Sequence, residues 1–129
     1  MIAKITDKLE AHYAELLLGP YPMASKLFRA RSPLFHADRI DCPIILFQGT
    51  EDPVVPPEQA HVMIDALNAA KRPHAYSFYE GEGHGFRKAR SIVESLEKEL
   101  SFYGTFLGFT PADPLHRPQI FNVESDDTT

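Results

Sequence analysis

Asp52 and His84 stand 32 residues apart, each on a loop rich in turn-forming residues. The first loop is FQGTEDPVVPP and the second is YEGEGHGF. Each follows a run that reads as a β-strand, and each leads into a helix. A carboxylate that accepts a hydrogen bond from imidazole Nδ1–H fixes the ring's tautomer. Nε2 is then free to take a proton from a nucleophile. The two residues could therefore form the base and the orienting acid of a hydrolase triad. The nucleophile has no candidate in this sequence. No serine sits in a G-x-S-x-G elbow, and Cys42 lies in a D-C-P turn just before a strand. Ser32 precedes a proline in a loop without elbow glycines and reads as a turn or cap residue.

Other chemistries find less support. His12, His36, His61, His74 and His116 are scattered, with no H-x-x-x-H pair and no cysteine cluster, so no metal site and no cofactor is expected. A net charge of −5 argues against a nucleic-acid partner, because neutralising phosphates needs a basic face. No apolar stretch approaches the roughly 18–20 residues that span a bilayer. MIAKITDKLE lacks the apolar core and cleavage site of a secretory leader. A single cysteine fits a reducing compartment, and a cytoplasmic location is the expectation.

The elements that must position the two loops alternate. Leu9, Tyr13, Leu16 and Leu17 share one face of a helix expected from about Asp7 to Leu18. A second helix is expected from Pro22 to Ala30, and RARSPLFHADRID reads as a loop with one helical turn. Pro43 opens an apolar run, Ile44 to Phe47, without polar alternation. That pattern fits a parallel strand covered on both faces. Pro57 starts a helix whose stripe is Val62, Met63, Ala66, Leu67 and Ala70. His74 to Tyr79 reads as a second strand. Ala89, Ile92, Val93, Leu96, Leu100, Tyr103 and Leu107 then hold one face of a long helix that Gly108 stops. Residues 111–129 are Pro-rich and then polar, and read as a mostly disordered tail. The fold class is α/β, with a βαβ unit at its centre. Catalytic groups in such sheets lie beyond the carboxyl ends of the strands, where both Asp52 and His84 are expected.

These motifs resemble the C-terminal part of the catalytic domain in the prolyl oligopeptidase family of serine peptidases, in its dipeptidyl-aminopeptidase and acylaminoacyl-peptidase-like flavour. The family pattern H/Q-G-x-x-D-x-x-V-P is met by Gln48, Gly49, Asp52, Val55 and Pro56. The pattern G-x-x-H-G-F is met by Gly81, His84, Gly85 and Phe86. SPLFHADRIDCPIILF and LLGPYP resemble the stretches leading into this region. The resemblance implies an incomplete α/β-hydrolase (peptidase) domain over residues 1–110. It also implies that Asp52 and His84 are the triad acid and base, that the substrate of the intact enzyme is a peptide, and that an N-terminal half of the hydrolase domain is the missing partner. The family's order is Ser, then Asp, then His, and the serine part has no match in this sequence.

Alternatives stay open on sequence alone. Asp52 sits in G-T-E-D-P, which is turn chemistry in its own right. Glu51 and Glu82 are rival acids; Glu82 is expected to face solvent or to charge the mouth of the site. Phe86 is expected beneath the loop and Arg87 on the surface. A non-catalytic α/β module, binding a partner or serving as a remnant, is the alternative to a hydrolase piece. With only two strands evident, an open sheet edge and self-association are expected.

Overall fold

The apolar run after Pro43 becomes the first strand of a small mixed sheet. In the computed structural model, which describes residues 13–123, β1 (Ile44–Gly49) pairs in parallel with β2 (His74–Tyr79). Ile44 stands opposite His74 and Gly49 opposite Tyr79. Two helices precede them, α1 (Tyr13–Leu18) and α2 (Ser25–Arg31), followed by 3-10 turns over Pro33–Arg39. The expected single helical turn in that loop is thus a longer run of tight turns, opened by Pro33 near their start. The part of the first helix expected before Tyr13, with Leu9, lies outside the described residues.

The crossover between the strands is α3 (Pro57–Ala69). Pro57 at its first position lacks only an N–H that a helix leaves unpaired there. Leu67 and Ile64 of this helix are buried. His61 stacks on Phe78 with ring centroids 4.6 Å apart, so α3 covers the sheet face that carries His74, Tyr76 and Phe78. The opposite face belongs to α4 (Ala89–Leu107). There Lys98 Nζ donates to Ser77 Oγ at 3.0 Å and to Glu94 Oε1 at 2.6 Å. A sheet with a helix on each face is the layering that parallel strands require.

Three expectations change. Of the tail expected over residues 111–129, the part from 111 to 123 carries a strand, and residues 124–129 lie outside the described residues. Ile120 and Phe121 form β3, antiparallel to β2, opposite Ala75 and His74. Phe121 stacks on His74 and Tyr76, with centroids 5.4 and 5.2 Å away. His116 meets the carboxylate of Glu97 on α4. The uncovered side of β2 offers backbone partners to Ile120 and Phe121, and the His74 and Tyr76 rings offer Phe121 a surface to bury against. The sheet therefore has three strands, in the order β1-β2-β3.

The second change concerns α4. Its apolar stripe does not face the sheet. Ile92, Val93, Leu96, Leu100, Tyr103 and Leu107 are all exposed, Leu96 at 60%. The side turned inward carries Ser91, Ser95, Phe102 and Gly104. Third, the four apolar residues of β1 are only half-buried, and β1 has no strand on its outer edge among the described residues. The causes differ: β1 lacks a neighbouring strand, and the α4 stripe faces away from the sheet with no other described element packed over it.

This surface generates a prediction. The isolated chain is expected to bind a dye that seeks apolar surface and to sediment as concentration-dependent oligomers. The double substitution Leu96→Lys, Leu100→Lys should cut both severalfold and leave the thermal midpoint within a few degrees. A dye-silent monomer melting sharply above about 60 °C would show instead that the stripe is inert.

Candidate active site

Both loops leave the same end of the sheet, because β1 and β2 are parallel neighbours in register. The loops are then stitched together. Thr50 N–H donates to Tyr79 O at 3.0 Å, Glu51 N–H to Glu82 O at 2.9 Å, and Gly81 N–H to Thr50 Oγ1 at 2.9 Å. The approach is so close that a Cβ on Gly49 would collide with the carbonyl oxygens of Glu82 and Gly83. Only glycine permits it. On the second loop Gly85 takes φ +93°, a left-handed value that turns the chain back directly after His84.

This framework brings Asp52 and His84 together. Nδ1 of His84 lies 3.0 Å from Asp52 Oδ2. A carboxylate can only accept, so the neutral ring carries its proton on Nδ1 and leaves a lone pair on Nε2. Nε2 has no partner among the described residues, and the His84 side chain is 57% exposed against 7% for Asp52. The acid is thus shielded while the imidazole presents its second nitrogen outward.

The second oxygen of Asp52 has a separate task. Oδ1 accepts the backbone N–H groups of Val54 and Val55, each at 2.9 Å. One oxygen therefore serves the turn and the other meets the imidazole, so turn chemistry and pairing with His84 do not compete. Gln48, buried, ties the same loop by donating from Nε2 to Val55 O at 3.0 Å. Burial alone would raise the Asp52 carboxyl, but the hydrogen bonds from Val55, His84 and Val54 outweigh it and hold the group below its ordinary value. It stays ionised wherever His84 could act as a base.

The rival acids separate. Glu51 is exposed. Glu82 is not the solvent-facing residue expected from sequence, but one of the most buried side chains, 2% exposed. Its carboxylate accepts Arg87 N–H at 2.8 Å and Lys88 N–H at 3.0 Å. With a hydrogen bond from Ser91 these lower its pKa, the bond from Arg87 most of all. The reason is local: α4 has Lys88 as its N-cap and no side-chain cap of its own, and the N–H groups of Lys88 and of Arg87 just before it need an acceptor. Phe86 packs on Tyr79 with centroids 4.7 Å apart, and Arg87 is exposed. Cys42 is exposed and away from these loops. Among the described residues no group of three or more His, Cys, Asp or Glu side chains could hold a metal ion. No described helix is long and apolar enough to cross a membrane.

Residues 1–110 match the prolyl oligopeptidase family, which is more than half of the chain. The chain belongs to that family. It is 41% identical over 80 residues to dipeptidyl peptidase family member 6 of Caenorhabditis elegans, an alignment covering 62% of this chain and 11% of the relative. It is 36% identical over 63 residues to dipeptidyl aminopeptidase BIII of Pseudoxanthomonas mexicana, covering 49% and 9%. The solved structure of a puromycin-hydrolyzing peptidase from Mycobacterium tuberculosis superimposes with a TM-score of 0.88 at 47% identity, over 93% of this chain and 18% of that one. This prolyl oligopeptidase-family chain therefore has the fold of the C-terminal portion of an α/β-hydrolase domain and spans less than a fifth of these relatives' length.

Two predictions arise from the site. Gly49→Ala should lower the stability of the chain by about 3 kcal/mol in urea unfolding, because backbone carbonyls cannot step aside for the new methyl group. The second concerns acid. Asp52 has a depressed pKa in the folded state, so its contribution is complete above the unfolded carboxylate value of about 3.9 and is lost as pH falls from there through the lower folded-state value. The thermal midpoint should drop between pH 7 and pH 3, and Asp52→Asn should make that drop smaller. An equal drop in both proteins would mean that the Asp52 hydrogen bonds do not stabilise the fold.

Proposed function

We propose that this chain supplies the base and the orienting acid of a serine-type peptidase site, His84 and Asp52, to a catalytic domain whose nucleophile is carried by another segment. The observation that carries the reading is the 3.0 Å contact between His84 Nδ1 and a shielded, ionised Asp52, with Nε2 turned outward. In the complete site, Nε2 takes the proton of a serine hydroxyl as the oxygen attacks a peptide carbonyl, and then returns it to the leaving amine. Asp52 holds the tautomer and stabilises the imidazolium that forms. Membership of the prolyl oligopeptidase family and relatives named as dipeptidyl peptidases support a peptide as substrate.

The open edge of β1 and the exposed stripe of α4 support a place for the rest of the hydrolase domain beside this chain. That part would also supply the oxyanion hole. The non-catalytic module remains the second reading, because no G-x-S-x-G elbow occurs in these residues.

By itself the chain is expected neither to hydrolyse aminoacyl-p-nitroanilides above background nor to react with a fluorophosphonate probe. A base without nucleophile or oxyanion hole has no covalent route. Combined with the preceding part of a related catalytic domain, it should restore hydrolysis. There Asp52→Asn should lower turnover by about 10⁴-fold, since the ring would then settle in the wrong tautomer. Stoichiometric labelling of a serine in the chain alone would sink the reading. Assembly without any hydrolysis would favour the non-catalytic module.

A further inference from the structure

Glu82 grips the loop that carries His84 from both ends. Its backbone carbonyl accepts Glu51 N–H at 2.9 Å, which anchors the start of the loop to the Asp52 side. Its carboxylate reaches across to the other end, with Oε2 on Arg87 N–H at 2.8 Å and Oε1 on Lys88 N–H at 3.0 Å. The Ser91 side chain, in the first turn of α4, also hydrogen-bonds it. His84 rides at the tip between these anchors, beside the bridge that joins Gly83 to Gly85. The ring itself touches little. Asp52 is its hydrogen-bond partner among the described residues, and more than half of its surface is exposed. Packing does not hold the imidazole, so the backbone beneath it must.

We propose that Glu82 is a positioning residue for the base: by closing residues 82–88 into a hydrogen-bonded ring, it holds the His84 imidazole on Asp52. This rests on the reading of His84 and Asp52 as an acid–base pair. The charge and symmetry of the carboxylate matter. Both oxygens accept, and both face backbone N–H donors. A glutamine there satisfies one donor and turns its own NH₂ against the other. The freed end of the loop then lets the imidazole swing off Asp52, although Glu82 makes no hydrogen bond to the ring.

The test uses the chain with ¹⁵N-labelled histidines and follows the ring N–H protons by NMR. In the unmodified chain His84 should show a protonated Nδ1 in slow exchange with water. In Glu82→Gln that proton should exchange about tenfold faster, as expected for losing a hydrogen bond to a charged group. His74 is the internal control. Its ring is fully buried and Nδ1 lies 2.9 Å from Arg72 O, on the opposite side of the strand from α4. It should keep its rate. Faster exchange at both rings, or at neither, would reduce Glu82 to a general fold residue and overturn the proposal. A missing Nδ1–H signal in the unmodified chain would instead overturn the acid–base pair itself. If Glu82→Gln does not fold, Ser91→Ala decides. It removes one hydrogen bond to Glu82 and should speed His84 exchange by about twofold to threefold; an unchanged rate overturns the proposal.

Discussion

The whole arrangement depends on how closely the end of β1 meets the turn after β2. Gly49 lies against the carbonyls of Glu82 and Gly83 with no space for a side chain. That contact sets the distance between two loops that are far apart in sequence. The hydrogen bonds from Thr50, Glu51 and Gly81 then fix their relative height. Strand pairing alone places the loops on the same end of the sheet. The glycine contact brings them near enough for a carboxylate and an imidazole to share a proton.

The site is asymmetric for physical reasons that begin in the backbone. Asp52 is held by two amides on one oxygen and by imidazole on the other, so its charge is compensated although it is buried. An unpaired carboxylate at that depth would protonate. His84 has the opposite situation, with one good partner and an open second nitrogen. The arrangement suits proton transfer at Nε2, because the tautomer is already chosen by the Asp52 hydrogen bond. Glu82 repeats the pattern on the far side of the loop, as a second buried carboxylate compensated mainly by backbone amides.

Much of this is legible in the sequence. The Asp52 and His84 loops announce themselves through their strand-end positions and glycines, and both strands and the two helices that cover them lie where the apolar pattern puts them. The burial of Glu82 is not legible, because backbone N–H groups have no residue identity and nothing in the letters marks them as partners. One signal points to it: α4 begins after Arg87 and Lys88, where no serine, threonine, asparagine or aspartate is available as a cap. β3 escapes because two residues, Ile120 and Phe121, cannot display a period. The stripe of α4 is plain as a pattern. Its cover is not, because a period tells which residues seek burial and not whether the burying surface is present.

The position of β3 has a consequence for how sheets of this kind can join. Ile120 and Phe121 occupy the outer side of β2 at His74 and Ala75, whereas β1 offers its outer side freely among the described residues. A sheet with two equivalent free edges can stack head to tail, each copy passing the same contact to the next, and such contacts do not close. Here a strand approaching β2 meets one already seated. The two sides of the sheet are therefore unequal: β1 offers six residues to a partner strand, and β2 offers only the part beyond Ala75. A pairing of β1 with β1 across a two-fold axis would occupy the longer of the two edges and favour a closed contact between two copies over an open chain of them.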